Sequence, residues 1–457
     1  MDRLTEAEKR AEKQRVMTTE PVEKLVCRLA LPTIVSMLVT TFYNMADTFF
    51  VGRLGNASAT GAVGVVFSLM AIIQAVGFFF GHGSGNFISR KLGSREVEDA
   101  EKMAATGFFS ALIGGGLITL FGLVFVVPLA KLLGSTDTIL PYAVSYMRII
   151  LCGAPYMCAS LVLNNQLRFQ GNALYAMIGL FSGAVLNIGL DPLFIFGFGM
   201  GVTGAALATV ISQLVSFILL WVGCRHSDNL KIHLKKFTPT PRFLAEICRG
   251  GLPSLCRQGL NSVAVMVLNH AVGAYGDGAV AAVAIVSRIM MFTSSALIGF
   301  GQGMQPVCGF NYGARRGDRV RRAFWFCLTV STVMLTVFSA VGHFLAPQLV
   351  SLFQKGDTQV ATIGTTALRR QLLTLPLAGW IVLSNMMLQT MGRVVSATFL
   401  ALAKSGLFLI PSLLVLAKVA GLDGVLWAQT AAEAITFLAA LPIQIVWLRR
   451  LKNLTPL

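Results

Sequence analysis

Long apolar runs recur along the chain, separated by short polar stretches. Charged residues are sparse within twelve of them, residues 29–51, 59–81, 103–128, 141–164, 172–196, 202–223, 252–272, 279–303, 323–346, 371–392, 395–417 and 424–446. Each run is roughly 20 to 28 residues, the length an α-helix needs to cross about 30 Å of hydrocarbon. A segment in lipid must satisfy its own backbone hydrogen bonds, which favours helices. The alternating pattern of a membrane barrel strand is absent. The pattern predicts an all-α membrane protein with twelve transmembrane helices.

The pattern also repeats. Setting Pro32 of "RLALP" over Pro253 of "RGGLP" pairs Gly52 with Gly273 and Gly55 with Gly276. Beyond one deleted residue, "GHGSGNFISRKLGSREVED" lies over "GQGMQPVCGFNYGARRGDR". That register pairs Gly81, Gly83, Gly93, Arg95 and Glu98 with Gly301, Gly303, Gly313, Arg315 and Asp318. Further on, Gly171 lies over Gly392 and "GVTGAA" over "GLDGVL". Each half holds six runs, an even number, so both cross in the same sense and their pseudo-two-fold axis runs along the membrane normal. The expected division is a cytoplasmic N-terminal tail (1–24), a six-helix lobe (25–224), a basic cytoplasmic linker containing "HSDNLKIHLKKFTPTPR" (225–248), a second six-helix lobe (249–448) and a cytoplasmic tail (449–457). Two packed halves of equal topology suggest a secondary transporter that rocks about a central site, more than a pore.

Composition agrees. The 457 residues are 55% apolar and 12% charged, with a mean hydropathy of +0.72. Soluble domains carry about 25% charged residues, so this surface is not dressed for water. The net charge of +17 would raise nucleic acid as a partner, but most of the 37 Lys and Arg fall on the side that carries both termini. The positive-inside rule makes that side cytoplasmic, in a cell inner (plasma) membrane, and reads the basic excess as a topology signal. The charged start "MDRLTEAEKRAEKQRVMTTEPVEKL" lacks an apolar core and a cleavage site. It is expected to form a cytoplasmic helix or a mobile tail rather than a secretory signal. The eight cysteines show no CxxC spacing and read as small buried hydrophobes. HExxH, GxSxG and GxxxxGK[ST] are all absent, and "GHGSGN" has no strand before it. No enzyme, no cofactor and no ATP-driven pumping are expected.

Ionisable residues at membrane depth are costly, so each is a functional candidate. The first half has two acids in its runs, Asp47 and Asp191. Tyr43 precedes Asp47 by four residues and Asn187 precedes Asp191 by four, so each pair shares a helical face. With Asn164 and Thr209 they could converge on one pocket. Burial favours the protonated carboxyl, and a second carboxylate nearby favours it further, which would bring proton uptake within reach of physiological pH. The same oxygens would also suit a hard cation such as Na+. No other metal is expected. Pro32, fifteen residues before Asp47, removes a backbone donor within the first run and marks a kink or hinge. The second half carries Arg257, Arg288, Lys404 and Glu433, of which Lys404 and Glu433 are candidates for an ion pair. Gln302 and Gln305 could face a cavity.

These stretches resemble the multidrug and toxic compound extrusion (MATE) family of secondary transporters, in its bacterial branch with coupling acids in the N-terminal lobe. The likeness covers about residues 20 to 450 and is carried by "LPTIVSMLVTTFYNMADTFFVGRLG", "LNIGLDPLFIFGFGMGVTGAALAT" and "GFGQGMQPVCGFNYGARRGD". It implies two six-helix lobes around a V-shaped cavity, and export of amphipathic, often cationic compounds in exchange for H+ or Na+. Under it Asp47 and Asp191 match the coupling acids, Tyr43, Asn164, Asn187 and Thr209 their polar partners, and Pro32 the bending proline. Some relatives carry C-lobe acids where this chain has Asn261, Ser262 and Asn385, so Glu433 would have to substitute there. Asn385 and Glu433 thus join Gln302 and Gln305 as candidate C-lobe cavity residues. The expected partners are small amphipathic substrates and membrane lipids, and the expected state is a monomer. An alternative is a flippase for a lipid-linked sugar, whose phosphates would meet Arg148, Arg257, Arg288 and Lys404. A non-transporting receptor or membrane enzyme is the reading from another class.

Overall fold

The computed structural model describes residues 6–54, 57–225, 229–353 and 358–454. Among these there are fourteen α-helices and no strand. The first eight are α1 (Glu6–Thr19), α2 (Val22–Gly52), α3 (Ala57–Gly93), α4 (Val97–Val124), α5 (Val126–Leu132), α6 (Leu140–Phe169), α7 (Ala173–Pro192) and α8 (Gly201–Cys224). The remaining six are α9 (Pro241–Gly273), α10 (Asp277–Gly313), α11 (Gly317–Phe353), α12 (Thr358–Thr390), α13 (Val394–Leu402) and α14 (Leu409–Lys452). Leu193–Gly197 and Ala403–Leu407 are wider, π-helical turns that continue α7 and α13.

Ten helical stretches are long and apolar enough to cross a membrane by length and hydropathy. The expected twelve are reached for two reasons. Val394–Lys452 is counted as one stretch, but Gly421 (φ 58°, ψ −137°) breaks it into two rods. The other is α9, whose apolar run is diluted by Arg257, Gln258, Asn261 and Asn269 and so falls short in hydropathy. This helix begins at Pro241, inside the stretch assigned to the linker. Of that linker, residues 226–228 lie outside the described residues, as does Gly55 of the repeat.

The repeat is visible in the backbone. Arg95 (φ 64°) and Arg315 (φ 55°) are the only described non-glycine residues with positive φ, and they are repeat mates. Each follows a helix end closed in the same way. The N–H of Glu96 donates to Lys91 O at 2.9 Å, and the N–H of Arg316 to Asn311 O at 2.8 Å. This is the Schellman closure, which needs a left-handed residue just before the donor. Gly171 (φ 85°) and Gly392 (φ 74°) are mates as well.

Small and branched side chains fill a core in each half. In the first, Ile73, Phe108, Met147, Leu151, Val162 and Leu167 pack together. In the second, Val286, Leu335, Val350, Leu368 and Leu413 do the same. The outward faces carry large exposed apolar residues such as Val395 and Phe344, as a lipid-facing surface requires. Between the halves, α2 packs on α10 and α3 on both α9 and α10. The closest approach lies near the end that carries both termini. A Cβ added to Gly93 would fall 2.1 Å from Phe310 O, and one added to Gly313 would fall 1.9 Å from Arg90 O. Only glycine lets the two backbones meet there.

The N-terminal segment expected as a helix or mobile tail is the helix α1, and it lies across this closed end. It reaches the first lobe through Arg10, paired with Glu101 at 3.0 Å, and through Gln14, which donates to Gly93 O at 3.3 Å. On the second lobe Asn311 donates to Met17 O (3.1 Å), Arg316 to Thr18 O (2.7 Å) and Arg319 to Glu20 O (2.5 Å).

Candidate functional site

Asp191 closes α7 one residue before Pro192, where the helix widens into Leu193–Gly197. Such π turns often mark functional positions. Gly204 of α8 lets this turn approach: a Cβ there would meet Phe194 O at 2.7 Å. Asp191 and Asn187 are fully buried and Thr209 nearly so. With the Asn187 amide oriented so that both its atoms find complementary partners, its nitrogen donates to Asp191 Oδ2 at 3.1 Å. Its oxygen then accepts from the Thr209 N–H at 3.3 Å. The four-residue spacing read from the sequence therefore does bring Asn187 against Asp191, with Thr209 supplied by the neighbouring helix. The side chain of Asp47 lies outside the described residues. Tyr43 is buried on the same helix, and α2 packs along α7.

Asn164 is not part of this cluster. Its amide donates to Ala176 O at 2.9 Å. Ala176 lies eleven residues before Asn187 on α7, about 16 Å along the axis at 1.5 Å per residue. Its repeat mate Asn385 does the same, donating to Ala397 O at 2.6 Å. Both amides tie successive helices of their lobes together.

Pro32 lies within a continuous α2 and next to the contact with the other lobe. Gly299 and Gly303 of α10 face Ile34 and Ala30 closely enough that a Cβ would clash. Pro32 cannot donate to the carbonyl one turn back. Beside it, the single hydroxyl hydrogen of Thr33 can go to Leu29 O or Ala30 O on its own helix or, across the lobes, to Gly299 O at 2.7 Å.

In the second lobe Glu433 is buried and paired with Lys404 at 2.7 Å, and accepts from Thr374 at 2.9 Å. Lys404 sits in the π turn Ala403–Leu407. Gln302 and Gln305 are buried, and Gln305 Oε1 has no partner among the described residues. Of the cations that kept a basic, phosphate-binding cavity open, Arg148 and Arg288 are exposed and Lys404 is neutralised by Glu433. Arg257 alone stays at the seam, donating to Asn385 Oδ1 at 3.4 Å. Half of the eight cysteines (Cys158, Cys224, Cys308, Cys327) are the buried hydrophobes expected, while Cys27, Cys152 and Cys248 are exposed. All are free thiols. No cluster of metal-ligating side chains occurs among the described residues.

Sequence reasoning missed a polar network across the seam. His82 of α3 meets Arg168 of α6 through Nε2 (3.3 Å) and Ser254 of α9 through Nδ1 (3.1 Å). Gln389 of α12 donates to Ser254 Oγ and to Gly250 O, both at 2.7 Å. Arg168 is always a donor, so a neutral His82 that accepts at Nε2 and donates from Nδ1 fits the geometry. Nearby, Arg90 donates to Thr390 O at 2.7 Å and pairs with Glu246 at 3.0 Å. The signal available was the glycine spacing at 81, 83 and 85, which lets helices meet closely around a polar side chain.

Two six-helix lobes of one repeat, a carboxylate buried in one lobe and a polar seam between them are the build of a multi-pass membrane transporter. The MatE family model matches residues 32–193 and, a second time, residues 253–414, one copy in each lobe. The chain belongs to this family. It is 30% identical over 422 residues to the multidrug export protein MepA of Staphylococcus haemolyticus, covering 91% of this chain and 92% of that one. Among solved structures, a MATE crystal structure in complex with MaL6 superposes with a TM-score of 0.91 at 27% identity, over 96% of this chain and 99% of that one. The outward-facing conformation of a multidrug resistance MATE transporter superposes with a TM-score of 0.90 at 27% identity, over 97% and 98%.

Proposed function

We propose that the protein exports amphipathic, often cationic small molecules across the cell membrane by alternating access, in exchange for H+ or Na+ taken up in the N-terminal lobe. The observation that carries this reading is the cluster of Asp191, Asn187 and Thr209, a carboxylate removed from lipid and held where α7 loses its α-helical regularity. The export proteins among the relatives support the substrate class. Neutralising Asp191 removes a costly charge from the interior of the lobe. The neighbouring α2, which carries Asp47, feels that change, and its contact with α10 beside Pro32 would transmit it to the other lobe. By the positive-inside rule the end bearing the termini faces the cytoplasm, so the conformation described opens outward. The protein would act as a monomer in the inner membrane.

Efflux of ethidium from proteoliposomes under separately imposed pH and Na+ gradients tests this. One gradient should drive efflux and the other should not. Asp191→Asn and Asp47→Asn should each abolish driven efflux, and the double variant should be no worse than either. Efflux by Asp191→Asn at the native rate, or independent multiplicative losses, would refute a shared coupling site.

A further inference from the structure

Arg168 and Arg257 enter the seam from opposite lobes, on α6 and α9. Arg168 is 2% exposed. Its Nη2 donates to Asn165 Oδ1 (2.6 Å) and faces His82, while its Nε has no partner among the described residues. Arg257 has one neutral partner, Asn385. No carboxylate lies within ion-pair distance of either guanidinium among the described residues. The other seam and core cations are treated differently: Arg90 has Glu246 and Lys404 has Glu433. A helical side chain leans toward its helix N-terminus, so Arg168 points away from the closed end and toward the interior. Ser254 and Arg257 are three residues apart on α9, and Asn385 and Gln389 four apart on α12. Both guanidiniums therefore flank the same neutral hydrogen-bonded network.

A buried charge without a counter-charge is strongly unfavourable, because the lost hydration is not replaced. Arg168 is such a charge, and a second of the same sign on the half-buried Arg257 adds to its cost. A guanidinium offers five N–H donors in a planar fork that matches an oxyanion in two parallel bonds. Only a few of these ten donors are used here. We propose that the floor of the interlobe seam is an anion site, in which Arg168 and Arg257 hold a single oxyanion group from both lobes at once. The group is a carboxylate or phosphate, carried by an amphipathic small molecule or present as a free anion. This rests on reading the seam as the transport pathway. It adds to that reading that the cargo range includes molecules bearing a negative group. A ligand gripped from both lobes stabilises the closed end only while it is bound, so occupancy is linked to the lobe equilibrium.

The test is equilibrium binding to the purified full-length chain in detergent, read by thermal unfolding at matched ionic strength. The readout needs no coupling ion and no transport, so it stands if the exchange mechanism fails. The probes are sodium benzoate, benzylammonium chloride, sodium phosphate and sodium chloride. Benzoate or phosphate should raise the midpoint in a saturable way, while benzylammonium and chloride should not. Benzoate binding more tightly than phosphate assigns the group to an amphiphile, and the reverse order assigns a free anion. Arg257→Gln should weaken the apparent affinity at least tenfold. Arg257→Lys keeps the charge but loses the fork and should fall between, which guards against a Gln variant that fails to fold. Anions no better than chloride, or equal affinity in wild type and Arg257→Gln, would overturn the proposal.

Discussion

The glycine pair that lets the lobes touch makes a quantitative prediction. In Gly313→Ala, the new methyl group would fall 1.9 Å from Arg90 O, 2.8 Å from Arg90 C and 3.1 Å from Arg90 Cα. Ordinary contact begins at 3.4 Å, so the two backbones must part by about 1.5 Å. No flexible side chain can yield, because every clashing atom is main chain. Overpacking of this kind costs about 1–3 kcal/mol. Alanine is also the better helix former by about 1 kcal/mol, but it gains this in any conformation where α10 is intact, so the gain cancels between states. The net effect is a bias of about 5- to 150-fold against the conformation closed at the termini. Spin labels on Leu132 and Leu352, both highly exposed and at the opposite ends of their lobes, report this in a cysteine-free background by electron–electron distance measurement. Gly313→Ala should add a population in which the labels are closer, as the far ends come together. Gly116→Ala is the control, since nothing lies within 4 Å of a Cβ there. A distance distribution in Gly313→Ala that matches the wild type would refute the claim that this contact decides which side is shut.

Two further outcomes are expected. Arg319 holds the end of the α1 strap to the second lobe through Thr19 O and Glu20 O, so Arg319→Ala should loosen the strap while Asn311 and Arg316 still hold Met17 O and Thr18 O. Its partial exposure limits the cost to about 1 kcal/mol, which should appear as roughly fivefold faster tryptic cleavage within the first twenty residues, and an unchanged rate would argue against a strap. Lys404→Met strands the buried Glu433 carboxylate on Thr374 alone and should cost about 3–5 kcal/mol, while the double variant Lys404→Met with Glu433→Gln should recover most of the lost thermal stability. A double variant as unstable as the single one would mean that the pair is not what Lys404 supports.

What the sequence could and could not convey follows from what hydropathy measures. Run length located twelve rods because hydrocarbon thickness sets that length, and the Gly421 break and the polar α9 were no obstacle to a reading made by run rather than by helix. Spacing placed Asn187 on Asp191, because four residues on one helix is a local fact. It could not place Asn164, whose partner is a main-chain carbonyl on another helix, nor tell that Lys404 and Glu433 meet across a π turn. The seam was missed for a sharper reason. The second apolar run ends at 81 and the fourth at 164, where polar residues begin, so His82 and Arg168 fall just outside them. The helices instead continue to Gly93 and Phe169. Beyond the hydrocarbon, a helix no longer needs an apolar surface, but where two lobes press together it is still shut off from water. Polar residues there must satisfy one another, as His82, Ser254 and Gln389 do, or wait for a ligand, as two guanidiniums without carboxylates would. Hydropathy sees only the first change, from lipid to polar, and is blind to the second, from wet to buried. Close glycine spacing within a polar stretch is the mark of that second change, since a helix needs such glycines only where another backbone comes near.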